Sequence, residues 1–280
     1  MKIQWRRIAL LLTLTLLLSS TCIIPVFAAA GSAASAAKKE VDAIKYGTYK
    51  GVNAKGIPVI TYHYVVSDAE KRSGYRNSSL AVSKSTFEKQ MKWLRSRNYR
   101  TINCEELYLW HTGKIRLPER SVLITFDDGY ECLSRNAYPI LKKYNMKGTV
   151  FIVGSWTYNK PRSIDAMNHK KIRWMQKDNP NFEFQSHTYN LHSPTGSQSG
   201  YSKALQDAEK MKKVYGFKYL AYPYGRFNMP MVRAYRKSGI KMAFAYGDNN
   251  YALRSQNIMR IRRIKVGGND SMNQFTRWFK

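Results

Sequence analysis

Two adjacent carboxylates end an apolar run near the middle of the chain. Residues 122–126 are apolar or β-branched without alternation, which is typical of a strand buried on both faces. Asp127, Asp128 and Gly129 follow directly. Side chains at consecutive extended positions point to opposite sides, so we expect the two carboxylates to have different roles. The carboxyl ends of parallel strands are where α/β folds place their chemistry, although an ordinary Asp-Asp-Gly turn is the alternative interpretation.

Two of the five histidines follow another short strand-like segment, residues 182–184. His187 and His192 would lie about 140° apart on a helix, so they could chelate one ion only from a loop. With Asp128 they would form a two-histidine, one-carboxylate metal set with positions open for water and substrate. The same set suits an iron oxygenase, but the second carboxylate, Asp127, and the alternation of strands and helices favour a hydrolase.

This set of residues predicts a hydrolytic site. A divalent ion lowers the pKa of bound water towards about 7 and polarises a carbonyl oxygen, while Asp127 would accept the proton of the attacking water. A turn containing Pro223 and Tyr224 offers the Tyr224 backbone N–H as a donor to an oxyanion. His63, in or at the end of the first predicted strand, is the candidate acid for a leaving amine; a histidine packed within a strand is the alternative.

Strands and helices alternate about eight times after residue 57, which favours a parallel sheet with helices outside it. The first strand-like run covers residues 57–66 and the last covers residues 258–266. For a chain of this length, one closed or nearly closed α/β barrel fits best, with no second domain.

The first thirty residues have the layout of a secretory signal. Basic residues precede an apolar stretch at residues 8–18, and three alanines close the segment. We therefore predict a signal peptide over residues 1–30, with an uncleaved membrane anchor as the alternative. Residues 31–56 are predicted to be a flexible spacer and residues 57–280 the catalytic domain, outside the cytoplasm in either case.

The formal net charge is +29, and removal of the three basic residues in the predicted signal would leave +26. Export argues against nucleic acid as a partner, so we expect association with an anionic cell envelope or membrane surface. We also expect a monomer. A basic surface that is merely solvated is the alternative. Cys104 and Cys132 lack close-spaced partners, so they predict no metal site; they permit one disulfide without requiring it.

Three motifs, in order, resemble those of the polysaccharide deacetylases, which are carbohydrate esterase family four with the NodB-homology domain. They are Thr125–Tyr130, the loop from His187 to His192, and Tyr222–Gly225. The similarity extends over residues 57–279. It implies a distorted or incomplete (β/α) barrel and metal-dependent removal of acetyl groups from N-acetylglucosamine units. The family casts the first Asp of its motif as base and the second, with two histidines, as metal ligands.

One departure from the family pattern concerns the residue that orients the base. Many members have an arginine two residues before the proline of the third motif, and here that position is Ala221. Arg263, in the last predicted strand, is the candidate that would orient Asp127 instead.

A second departure concerns the acid. Many members place the acid histidine near the C-terminal end, but no histidine follows His192 in this sequence. The chain resembles instead the branch that deacetylates poly-N-acetylglucosamine of biofilms, in which a histidine of an N-terminal Tyr-His strand takes that role. Tyr62 and His63 match this pattern.

The resemblance implies one divalent ion, zinc first, with cobalt, nickel or manganese as alternatives. It implies a β-linked N-acetylglucosamine polymer as substrate, most of all poly-N-acetylglucosamine. Peptidoglycan and chitin oligomers are the alternatives, as is an inactive glycan-binding relative. Tyr130, Pro223 and Tyr224 are the expected substrate contacts, since aromatic rings at strand ends can stack on sugars. A place for these aromatic rings in the core is the alternative.

Overall fold

The structure is a computed structural model that describes residues 47–158 and 164–279, together with Lys39, Ala43 and Ile44. The chain divides into two units, residues 1–49 and 50–280. The predicted signal over residues 1–30 lies outside the described residues. In the described part, no helix combines the length and the apolar character that crossing a bilayer requires.

The described strands are short, and most of their residues are buried. The buried strand foreseen before the two carboxylates is β5, whose six residues are all buried. In chain order the strands are β1 (Val59–Tyr62), β2 (Tyr64–Val66), β3 (Ala81–Ser83), β4 (Arg100–Ile102), β5 (Ser121–Phe126), β6 (Gly148–Ile152), β7 (Phe182–Ser186), β8 (Tyr219–Ala221), β9 (Met242–Phe244) and β10 (Ile264–Lys265).

Helices separate most of these strands, and several begin at a side-chain cap. The Ser83 side chain accepts from the Thr86 amide at the start of α2, and Asn103 forms a capping box with Glu106 at α3. The helices are α1 (Asp68–Arg72), α2 (Lys84–Ser96), α3 (Cys104–His111), α4 (Glu131–Arg135), α5 (Ala137–Lys143), α6 (His169–Asp178), α7 (Tyr201–Tyr215), α8 (Met229–Ser238) and α9 (Met272–Thr276).

All strands of the main sheet run parallel, in the order β10-β1-β5-β6-β7-β8-β9, with β4 also beside β5. Beyond β9, Phe244 makes a parallel bridge to Ile261, which lies just before β10. The sheet therefore curls back towards its own first edge. Together with the surrounding helices, this confirms the predicted distorted (β/α) barrel.

Two predicted strands are shorter than the sequence suggested. The first is interrupted at His63: β1 stays in the barrel sheet, whereas β2 pairs with β3 in a separate parallel sheet. The last predicted strand is a strand only over Ile264–Lys265. The chain bends before it, because Ile261 bridges to β9 whereas Ile264 pairs with β1. Both bends lie where side chains enter the site described below.

Two further features concern the predicted spacer and the cysteines. Within the unit of residues 50–280, the Ala54 amide donates to the Leu117 carbonyl and the Leu117 amide donates to the Asn53 side chain. These bonds tie the end of the predicted spacer to the loop before β5. Cys104 and Cys132 are both buried and free, so the permitted disulfide is absent.

Candidate active site and metal centre

The two carboxylates after β5 diverge, but not for the reason that the sequence suggested. Asp128 is not extended: its φ is +73°, in the left-handed region, and Gly129 follows at +77°. Aspartate tolerates this conformation better than most residues, and such strain is common at functional sites. A Cβ on Gly129 would lie 2.8 Å from Ile152 Cγ2, so the turn also packs too closely on β6 for a larger residue.

Asp128 faces both histidines of the 187–192 loop. Its Oδ1 lies 3.3 Å from His187 Nε2 and 2.9 Å from His192 Nε2. Both distances fall within ion-pair range, yet this buried oxygen has no well-aligned hydrogen bond in the described part of the chain. One ligand atom from each of the three residues lies within 4.8 Å of the others. Three acceptor atoms that converge on one point without a hydrogen bond between them are the arrangement of a metal site.

The orientation of His187 supports the same conclusion. Its Nδ1 lies 2.8 Å from the Ala221 carbonyl, to which only an N–H can donate, so Nε2 presents a free lone pair to the site. The loop turns at Thr188, whose φ is +70°. Imidazole nitrogens and a carboxylate oxygen are the ligands that zinc takes in catalytic sites, and three protein ligands leave a position open. The residues therefore fit a divalent metal ion.

Without a metal ion, the two carboxylates favour a proton on His187, at the place where a cation would bind. Burial disfavours the charged imidazolium, but the carboxylates of Asp127 and Asp128 outweigh it and raise the pKa of His187. Burial likewise opposes ionisation of Asp128, but the close imidazoles of His187 and His192 hold its pKa well below the ordinary value. A cation at this point would take over the role of those protons.

Asp127 forms its ion pair with Arg263 rather than with the two histidines. The guanidinium donates from Nη1 to Oδ1 and from Nη2 to Oδ2, each at 2.8 Å, and its Nε donates to the Ala245 carbonyl at 2.6 Å. Both side chains are almost fully buried. Burial opposes ionisation of Asp127, yet the Arg263 charge lowers its pKa, so the carboxylate is ionised and held in one orientation. This geometry agrees with the orienting role proposed for Arg263, which stays a prediction.

Arg263→Met should reveal how much this pair contributes. The variant leaves the Asp127 carboxylate buried without its partner, so we expect a loss of about 3–5 kcal/mol in the free energy of unfolding, together with reduced turnover. Arg263→Lys retains the charge but loses the two-pronged geometry, and it should keep more stability than activity. Denaturant unfolding and kcat measure the two effects. Wild-type kcat in Arg263→Lys would show that orientation is unimportant.

Asp207 anchors the loop that carries the second histidine, and no pattern in the sequence indicates this role. From helix α7 its two carboxylate oxygens accept the backbone N–H groups of Tyr189 and Asn190, both at 2.7 Å. These residues stand between the two histidines in sequence. The buried carboxylate thereby fixes the path of the chain towards His192.

Asp207→Ala should therefore weaken metal binding without removing a ligand. We expect about a 10- to 100-fold loss in zinc affinity, the range typical of residues that position metal ligands. Glu209→Ala is the matched control, because Glu209 is an exposed carboxylate on the same helix. Calorimetric titration with zinc measures both variants. Equal affinities would mean that the loop keeps its shape without the anchor.

His63 lies at the end of β1, beside Tyr246. The two rings meet edge to face, with centroids 5.4 Å apart and an angle of 74°. Burial lowers the pKa of His63, although the charges of Asp127 and Asp128 act in the opposite direction. The imidazole therefore shares the electrostatic environment of both carboxylates. Its predicted role as the acid remains a prediction.

The Tyr222–Gly225 turn follows β8 at the same edge of the sheet. Tyr224 has a φ of +59°, and the turn is closed by the Gly225 amide, which donates to the Tyr222 carbonyl at 2.9 Å. The Tyr224 ring is 48% exposed, with its centroid 4.9 Å from that of His192. Its amide makes no backbone hydrogen bond within the described residues, so it is available to an oxyanion. Pro223 fixes the start of this turn.

Tyr130 also lies close to Asp128, within a series of aromatic contacts. Its ring stacks on Tyr64 with centroids 3.8 Å apart and faces Trp156 at 6.4 Å. Trp156 in turn meets His192 edge to face at 4.9 Å. Burial, together with the Asp128 charge, raises the pKa of Tyr130, so its hydroxyl stays protonated and can donate.

Comparison with known proteins places this geometry in context. A family model described as polysaccharide deacetylase matches residues 114–243. The chain is 33% identical over 211 residues to a poly-beta-1,6-N-acetyl-D-glucosamine N-deacetylase of Staphylococcus aureus strain MSSA476. This match covers 71% of the chain and 72% of that protein.

Solved structures share the fold. The Streptococcus pyogenes deacetylase PplD, solved in complex with acetate, superposes with a TM-score of 0.67 at 23% identity, over 82% of this chain and all of that one. IcaB from Ammonifex degensii gives a TM-score of 0.65 at 24% identity, over 81% of this chain and 97% of that one.

Proposed function

This chain belongs to the polysaccharide deacetylase family, and on that premise we propose that it is a metal-dependent N-deacetylase of a β-linked N-acetylglucosamine polymer. The observation that carries the proposal is the convergence of Asp128, His187 and His192 on one point, with a second, ionised carboxylate, that of Asp127, next in sequence. A divalent cation held there, zinc in the first instance, would lower the pKa of water and polarise the acetamide carbonyl.

The residues around the site have distinct tasks in this proposal. The oxygen of a water molecule bonds to the acetamide carbonyl carbon while Asp127, oriented by Arg263, takes one of its protons. The Tyr224 amide donates to the oxygen on which negative charge develops. As the carbon–nitrogen bond breaks, His63 gives a proton to the nitrogen, so the net addition of water yields acetate and a free amine.

The proposed substrate rests on the name of one similar protein. The Staphylococcus aureus protein is named for poly-beta-1,6-N-acetyl-D-glucosamine, and the present chain aligns with it over most of both lengths. The rings of Tyr130 and Tyr224, which are at least partly exposed, support a sugar substrate, because such rings pack against the apolar faces of sugars. Pro223 and Tyr130 are the accompanying substrate contacts.

The cellular setting is also part of the proposal. Residues 1–30 would direct export, as signal or anchor, and residues 31–56 would connect to the catalytic domain at residues 57–280. The net charge of +29 supports association with an anionic envelope surface. The protein would act there as a monomer.

A panel of acetylated substrates tests the proposal. We expect the zinc-loaded protein to release acetate fastest from poly-β-1,6-N-acetylglucosamine, and more slowly from peptidoglycan and chitin oligomers. A preference for peptidoglycan or chitin oligomers would support the same reaction on a different substrate. Absence of acetate from every substrate, with glycan binding retained, would identify an inactive binding protein instead.

A further inference from the structure

Tyr246 is a half-buried residue of the site whose buried hydroxyl has no task in the proposed mechanism. It follows β9 by two residues and lies at the same edge of the sheet as the carboxylates. Its ring touches His63, and the Arg263 guanidinium carbon lies 5.8 Å from the ring centre. Tyr246 thus contacts both the candidate acid and the partner of the candidate base.

The backbone of Tyr246 is held in place by the neighbouring turn. A Cβ on Gly225, whose φ is +67°, would lie 2.7 Å from the Tyr246 amide nitrogen and 2.8 Å from its Cβ. Only glycine allows this approach. The turn that presents Tyr224 and the residue beside His63 are therefore packed as one unit.

The hydroxyl of Tyr246 is buried and has no hydrogen-bond partner within the described chain. Burial and the Asp127 charge raise the pKa of Tyr246 to about 12, so its oxygen is a neutral hydroxyl that can accept as well as donate. A buried hydroxyl without a partner is costly, and such a group calls for a functional explanation. The His63 imidazole beside it also makes no hydrogen bond with the described residues.

We propose that Tyr246 is the positioning residue for His63: its hydroxyl oxygen accepts the N–H of the imidazole nitrogen that faces away from the substrate. This inference rests on the proposed function for the role of His63. In the doubly protonated imidazolium this bond holds one N–H, so the N–H of the other nitrogen faces the leaving amine, gives it the proton and leaves His63 neutral, with an orientation fixed as the third member of a catalytic triad fixes its histidine.

The test compares Tyr246→Phe with Tyr235→Phe in zinc-loaded protein. Tyr235 is the matched control because its hydroxyl is also buried and unpartnered, but it packs in a cluster with Tyr222, Met231 and Ala243. Phenylalanine preserves each ring, so both variants should fold with unchanged melting temperature. For Tyr246→Phe alone we expect kcat to fall about 3- to 10-fold with KM unchanged, the effect of one neutral hydrogen bond.

A second readout does not depend on turnover. In histidine-labelled protein, with His63 assigned by its loss in His63→Gln, nitrogen NMR should show one ring N–H of His63 protected from solvent exchange. Protection should disappear in Tyr246→Phe and persist in Tyr235→Phe. Identical His63 spectra in wild type and Tyr246→Phe, or a spectral change with unchanged kcat, would overturn the proposal. If wild-type protein releases no acetate, the proposed function fails, while the spectra still decide whether Tyr246 holds His63.

Discussion

Asp127→Asn is expected to reduce kcat by about 10³-fold while zinc still binds, because the variant removes the only proposed proton acceptor and no metal ligand. The side chain keeps its volume, and its amide oxygen can still accept from Arg263. Initial rates of acetate release and calorimetric zinc titration measure the two properties separately. Asp178→Asn is the control, since Asp178 bonds to Lys142 on the outer helices. A variant that retains more than a tenth of wild-type kcat would remove Asp127 from the role of base.

The same substitution has a cost in stability that must be separated from its effect on catalysis. Arg263 is completely buried, and Asp127→Asn leaves its charge without a carboxylate. Losing one partner of a buried ion pair costs about 3–5 kcal/mol. The double variant Asp127→Asn/Arg263→Met should recover part of that stability, because no buried charge remains, but none of the activity. Recovery of activity in the double variant would contradict the assignment.

Removal of a metal ligand should strongly reduce the affinity for zinc. We expect Asp128→Ala to bind zinc at least about 100-fold more weakly than wild type, because two imidazoles alone make a poor site. His111→Ala is the matched control: His111 lies on α3, where its Nε2 contacts the Gln256 carbonyl. Wild-type affinity in Asp128→Ala would show that zinc binds elsewhere.

The pH dependence of zinc binding follows from the same contacts. In the metal-free protein the pKa of His187 is raised above its ordinary 6.5, so the proton stays on the ring to a higher pH than in the unfolded chain. That interaction stabilises the metal-free fold fully below pH 6.5, and its contribution is lost as pH rises through the raised pKa. Zinc affinity should accordingly increase over the same pH range, as the proton leaves the ligand.

The sequence alone was enough to predict those features that depend on which residue types follow the strands. An apolar run followed by two carboxylates located β5, and the spacing of His187 and His192 indicated that they could chelate one ion only from a loop. Alternation of strands and helices was enough for the barrel. These features are local, so they can be read without knowledge of which segments meet.

The parts that could not be predicted depend on contacts between distant segments. The Asp207 anchor lies on a helix, and nothing in its sequence context distinguishes it from a solvated carboxylate. Tyr246 reaches His63 only because β9 and the chain before β10 curl back towards β1. Different roles for Asp127 and Asp128 were expected from extended alternation, whereas Asp128 has a left-handed backbone and lies in a turn that packs on β6 through Gly129. The contact between Arg263 and Asp127 also joins distant segments, but it was predicted, because Ala221 stands where many family members have the arginine that orients the base.

Acetate release by metal-stripped, zinc-loaded and re-stripped protein tests the central claim most directly. With an acetylated β-1,6-glucosamine oligomer, we expect equimolar acetate and free amine from the zinc-loaded protein, loss of turnover on chelation, and recovery when one equivalent of zinc is returned. Undiminished acetate release from fully stripped protein would contradict a metal-dependent site at Asp128, His187 and His192. So would the absence of acetate when zinc fills that site.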